Sequence, residues 1–148
     1  MSLQGLSRLY FRMFGGRSLR DIEQLCLDAW RGTLDAEERA TLEGQLDSLA
    51  HIQRQAGGVK VCFYYNESAS FPLFSDKRPD VVAATVVLHS AVAAARGRMK
   101  VQMFTHRGRF FSIEFPKRPD RYLKLHGMDG DSLKVDEVLT HRLHAGDY

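Results

Sequence analysis

The run from Arg98 to Phe115, RMKVQMFTHRGRFFSIEF, constrains this chain more than any other stretch. Two alternating segments meet between His106 and Arg109, and Gly108 supplies the positive φ that a tight hairpin turn requires. The alternation puts Met99, Val101 and Met103 on one face with Phe111, Ile113 and Phe115. Arg98, Lys100, Gln102, Phe104 and His106 then point the other way, opposite Phe110, Ser112 and Glu114. A sheet with one apolar face needs a second layer to cover it, so helices are expected elsewhere.

Upstream of the hairpin the periodicity is helical. Ile22, Leu25, Cys26, Ala29 and Trp30 recur at helix spacing after Ser18 and Asp21, which predicts a helix over 19–31. Gly32 and Thr33 break it. Asp35 with Glu38 three residues later starts a second helix, whose stripe of Leu42, Leu46 and Leu49 carries the reading on to Ile52. The stretch GTLDAEERATLEGQL resembles helix-hairpin segments of bacterial regulatory proteins such as anti-sigma factors. Gly57 and Gly58 close this part, and VKVCFYY then alternates as a strand, Val59, Val61, Phe63 and Tyr65 against Lys60, Cys62 and Tyr64. Residues 66–79 read as loop, anchored by Phe71, Leu73 and Phe74.

Two segments admit both readings. Val81 to Ala95 is rich in valine, yet it is long for a strand, Asp80 suits an N-cap and Gly97 a stop, so a helix is expected there. DSLKVDEVLTHRL, with Leu133, Val135, Val138, Leu139 and Leu143, also reads as a short helix. The resulting expectation is one α+β domain over 1–148. It has an N-terminal helical hairpin, a small antiparallel or mixed sheet built on the 98–115 β-hairpin, and a C-terminal helix.

Charge is unevenly placed. Residues 96–124 carry nine Lys or Arg and two acids, whereas residues 21–54 carry three bases and eight acids, so the net charge of +3 conceals two opposite halves. A positive surface steers the protein toward an anionic partner. Arg98, Lys100, His106, Arg107, Arg109, Lys117, Arg118 and Arg121 are the candidate partner-binding residues, with Phe104 and Phe110 either as aromatic anchors or, the reading favoured by a second packed layer, as core. An acidic protein surface is the expected partner, engaged by a non-catalytic adaptor or inhibitor-like domain. The alternative is single-stranded nucleic acid, whose bases stack on aromatic side chains set among cations. The order strand, helix, strand, strand, helix is similar to the opening of an RNA-recognition-motif fold. RGRFFSIEF departs from its third-strand pattern, with Arg109 where the first aromatic belongs and Phe110 where a small residue belongs. A small-ligand domain or an enzyme of unrecognised type is a further alternative.

Signatures of chemistry are weak. The chain has no phosphate-cradling glycine loop and no nucleophile elbow. His141 and His144 lie three apart without a carboxylate to complete a zinc site, and Asp129 with Asp131 lacks the other ligands of a calcium loop. A Cys–His pair such as Cys62 with His89 could build a nucleophile, against the simpler reading of a buried thiol. No metal, cofactor or catalytic residue is assigned. Cys26 and Cys62 are too few for a disulfide framework, and with no apolar run of about 20 residues for a membrane span, a cytoplasmic protein is expected. The first twenty residues hold Arg8, Arg12, Arg17 and Arg20 beside an apolar stripe of Leu6, Leu9, Tyr10, Met13 and Phe14. That pattern suits a docked amphipathic helix, a presequence or a membrane-surface segment.

Overall fold

The computed structural model describes residues 18–68, 70–90, 98–125 and 133–140. The expectations for the N-terminal arginine-rich stripe, for Gly97, for Asp129 and Asp131 and for His141 and His144 lie outside these residues. Helices α1 (Asp21–Arg31) and α2 (Ala36–Asp47) are followed by strand β1 (Leu49–Arg54), a single 3₁₀ turn (Ala56–Gly58) and β2 (Lys60–Tyr65). After a loop come β3 (Val81–Ser90), β4 (Met99–His106), β5 (Arg109–Glu114), the short helix α3 (Pro119–Leu125) and β6 (Leu133–Thr140). The fold is α+β, and the strands form one sheet in the order β1-β2-β5-β4-β3-β6 with every neighbouring pair antiparallel.

Local chemistry sets the helix limits. Glu23 accepts a hydrogen bond from the backbone N of Arg20 at 2.8 Å, closing the first turn of α1. Asp35 does the same for the N of Glu38 at 2.8 Å at the start of α2. α1 buries Ile22, Cys26, Leu27 and Trp30 on one stripe, and α2 buries Leu42 and Gln45. Together they cover one sheet face, where Ile52, Val61, Phe63, Met99, Val101, Met103 and Ile113 are buried. Each such large apolar side chain contributes about 1.5–3 kcal/mol on burial.

Three expectations are corrected. α2 stops at Asp47, and Leu49 with Ile52 belongs to a strand. Residues Val81–Ser90 form β3, not a helix, and Leu133–Thr140 is the edge strand β6, not a C-terminal helix. The short helix α3 opens on Pro119.

One device explains these differences. In β1 the pairing steps from Leu49↔Tyr65 to His51↔Tyr64, so Ala50 is an extra residue and Leu49 and Ile52 both face the helices. Ala83 is the extra residue in β3, Asp136 in β6 and Phe111 in β5. A β-bulge advances the inward set by three residues instead of two. The pairs Leu49/Ile52, Val81/Ala84 and Val135/Val138 therefore carry helical spacing within extended chain.

Candidate functional site

β4 and β5 are joined by Arg107 and Gly108, with φ values of 50° and 81°. Positive φ at both positions is the signature of a two-residue hairpin turn whose twist matches the strands. The turn is held from two sides. Phe74 N donates to the Gly108 carbonyl at 2.8 Å and Arg107 N donates to the Arg78 carbonyl at 2.9 Å. Gln45 reaches it from α2, its Nε2 donating to the carbonyls of Pro72 and Gly108, both at 2.9 Å.

The hairpin divides the candidate residues among three places. At the turn stand His106, Arg107 and Arg109. His106 Nδ1 lies 3.6 Å from Asp80 Oδ1, and the Arg109 guanidinium sits 5.1 Å from the centre of the Phe71 ring. At the opposite end of β4 and β5 stand Arg98, Lys100, Lys117, Arg118 and Arg121, all exposed. The eight residues of β4 separate the two ends by roughly 25 Å. The third place is the sheet itself, where Phe104 is half-buried on the face away from the helices and Phe110 is in the core.

Phe110 is a correction to the expected outward pair. The bulge at Phe111 turns Phe110 inward, where its ring centre lies 4.5 Å from that of Phe63 and 5.1 Å from that of Trp30. Phe111 takes the outer position instead. A row of rings crosses four strands there: His51 stacks on Tyr64 at 4.7 Å, Tyr64 meets Phe111 edge-on at 6.2 Å, and Phe111 lies 5.8 Å from His106. Lys60 Nζ is 5.8 Å from the Phe111 ring centre. Tyr64 was legible as outward in the alternation of β2; His51 was hidden by its assignment to a helix.

The cations keep apart from the acids of the helices. Arg98 pairs with Asp136 of β6 at 2.9 Å. Among the described residues, Lys100, Arg107, Arg109, Lys117, Arg118 and Arg121 make no ion pair, and none of the candidate cations meets a carboxylate of α1 or α2. The helical acids have their own partners in Arg31, which lies 3.3 Å from Asp28 and 3.7 Å from Glu43, and in Arg54, which lies 2.5 Å from Glu23.

Titratable groups inside the fold serve structure. Burial pushes the Cys26 thiol up to about 12, with the Glu23 charge adding to the effect. Burial also raises Cys62. Such thiols are protonated and poor nucleophiles at neutral pH. His89 is on β3, three strand spacings or roughly 14 Å from β2, so the fold does not bring it to Cys62. The Asp76 carboxyl is held below the usual range, chiefly by hydrogen bonds from the Arg78 side chain. No three His, Cys, Asp or Glu side chains among the described residues converge as a metal site, and no described helix is long and apolar enough to cross a membrane.

Comparison with protein-family models, with curated proteins and with solved structures finds no match to this chain.

Proposed function

We propose that this protein is a non-catalytic binding domain of adaptor or inhibitor type, which takes an acidic partner protein on its cationic surface. One observation supports the reading: among the described residues six of the candidate cations make no ion pair and none of the candidate cations meets a carboxylate of α1 or α2. Lys117, Arg118 and Arg121 stand exposed at the end of β5 and the start of α3 with no ion pair among the described residues. Exposed cations without internal partners lose little on meeting external carboxylates and accelerate the encounter, most strongly at low salt.

The test is capture from nuclease-treated lysate of the source cells by the immobilised full chain. It is run in parallel with Lys117→Glu/Arg121→Glu and with Arg107→Glu/Arg109→Glu. The reading expects a protein ligand of acidic surface that the wild type retains, that salt releases and that at least one reversal abolishes. Retention of the same ligand by both reversals removes the cationic surface from the interaction.

A second reading has an observation of its own. The row His51–Tyr64–Phe111–His106, with Lys60 and Lys100 on the same face, offers rings among cations, the surface on which unpaired bases stack. It expects the chain to retain a single-stranded oligonucleotide at low salt, with affinity falling steeply as salt rises. Tyr64→Ala and Phe111→Ala would each weaken binding by about 1–3 kcal/mol. No retention at low salt ends this reading and leaves the first untouched.

A further inference from the structure

The turn between β1 and β2 places two glycines under two arginines. Gly57 and Gly58 both have positive φ, 79° and 69°. A Cβ on Gly57 would lie 2.6 Å from Nε and 2.9 Å from Cγ of Arg118, and one on Gly58 would lie 3.1 Å from Nη1 of Arg20. Two side chains from distant parts of the chain therefore lie directly against adjacent backbone units, whose Cα atoms are about 3.8 Å apart. Only residues lacking Cβ leave that space open.

Both arginines start from fixed backbone. Arg20 precedes α1, and its N is held by Glu23, which Arg54 grips with contacts of 2.5 and 2.8 Å. Arg118 precedes α3 and accepts a hydrogen bond from Tyr122 N at 3.0 Å, while the neighbouring Pro119 is buried against Gly58. The charge they bring together is poorly answered. Among the described residues the one carboxylate that pairs with either guanidinium is Asp120, 3.5 Å from Arg20 and itself 66% exposed, and Arg118 has no ion pair. Lys117 and Arg121, next to Arg118 in sequence and one helical turn on, add positive charge.

We propose that Arg20 and Arg118, seated over the Gly57–Gly58 turn, form an oxyanion site that takes a carboxylate from an acidic segment of the partner. This rests on the binding function proposed above and gives that surface its centre. Guanidinium groups match a carboxylate with paired, charge-assisted hydrogen bonds, and an anion between them relieves their mutual repulsion. Fixed backbones on both sides reduce the ordering cost of binding.

The experiment titrates the full chain into a fluorescent hexaglutamate peptide and follows anisotropy at low ionic strength. Arg20→Gln/Arg118→Gln is expected to weaken binding about tenfold or more, because two charge-assisted contacts are lost. Arg39→Gln/Lys77→Gln removes the same charge beyond the far end of α1 and beside the hairpin turn, outside the binding surface, and is expected to change affinity less than about twofold, because it touches no contact of the site. Gly57→Ala leaves the charge unchanged but displaces Arg118, and it should weaken binding in the same direction as Arg118→Gln. Thermal melts of each variant establish that the fold persists. Equal losses from the two double variants would overturn the site while leaving a diffuse cationic charge effect in place. A wild type that binds no peptide would remove both the site and the function on which it rests. A phosphoserine peptide of equal charge that binds more tightly, and loses that advantage in Arg118→Gln, would overturn the carboxylate assignment.

Discussion

The carboxamide of Gln45 accepts a hydrogen bond from the backbone N of Phe110 at 2.8 Å, across 65 residues of sequence and in the dry interior. Its Nε2 donates at the same time to the carbonyls of Pro72 and Gly108, so one buried side chain fastens α2, the loop after β2 and the hairpin turn. Arg109 and Phe110 stay in register with His106 and Thr105 of β4, but pairing with β2 ends at Ser112, and Gln45 supplies the partner that β2 does not.

Gln45→Ala is expected to lower unfolding free energy by about 3 kcal/mol, since it leaves the buried N–H of Phe110 unanswered and removes the side-chain donor to the Pro72 and Gly108 carbonyls, of which Gly108 keeps only Phe74 N. Gln45→Glu should cost more, because a carboxylate cannot donate to Pro72 and Gly108 and would be buried without a cation. Urea denaturation gives both values. Hydrogen exchange at the Phe110 amide gives the local effect, and unchanged protection there in Gln45→Ala would contradict the role assigned to the side chain.

The pair Glu23–Arg54 tests a second tie, between α1 and the edge strand β1. Glu23 is fully buried, and its Oε1 also holds the N of Arg20. Removing one partner alone strands a buried charge, so Arg54→Met is expected to cost about 3–5 kcal/mol. The double variant Glu23→Leu/Arg54→Met should recover most of that loss, because two buried charges are replaced by apolar volume. A double-mutant cycle in urea measures the coupling. Additive losses would mean that the two residues act independently.

How much of this was legible in the sequence follows from the bulges. α1, the Asp35 cap, the alternation of β2 and the Gly108 turn obey local rules, and they stand in the fold where the residues place them. Leu49/Ile52, Val81/Ala84 and Val135/Val138 have the spacing of a helix stripe, and only the partner strand reveals that a residue has been skipped. Val81–Ser90 is also apolar on both faces, with Val86 and Val87 adjacent and fully buried, so no alternation marks it as a strand. The same effect misplaced Phe110 within the candidate surface. The approach of Arg20 and Arg118 to Gly57 and Gly58 joins residues about a hundred positions apart, 20 and 118, and no local pattern encodes it.

The bulge at Phe111 can be tested by its two phenylalanines. Phe110 packs between Phe63 and Trp30, so Phe110→Ala is expected to cost about 3–5 kcal/mol. Phe111 lies on the opposite face beside Tyr64 and Lys60, and Phe111→Ala should cost about 1 kcal/mol. Regular alternation through β5 would reverse the two values. Thermal and urea unfolding of the two variants side by side discriminate between the registers.

Alkaline pH should unfold the domain through groups that the fold keeps neutral. Burial raises Cys26 from 9.0 to about 12, and it raises Tyr65 and Tyr122 above their ordinary 10.0. Tyr65 also donates its hydroxyl hydrogen to the Phe110 carbonyl, a bond that ionisation would destroy. A group whose value is raised on folding contributes stability that is whole below its unfolded value and is lost as pH climbs through its folded value. Unfolding free energy is therefore expected to be flat near neutrality and to decline from about pH 9, by up to about 1.4 kcal/mol per pH unit for each group engaged. Urea titrations across this range measure the slope, and near-ultraviolet absorbance reports when tyrosinate forms. Cys26→Ala/Tyr65→Phe should flatten the decline. If the double variant keeps the wild-type slope, the alkaline instability belongs to other groups.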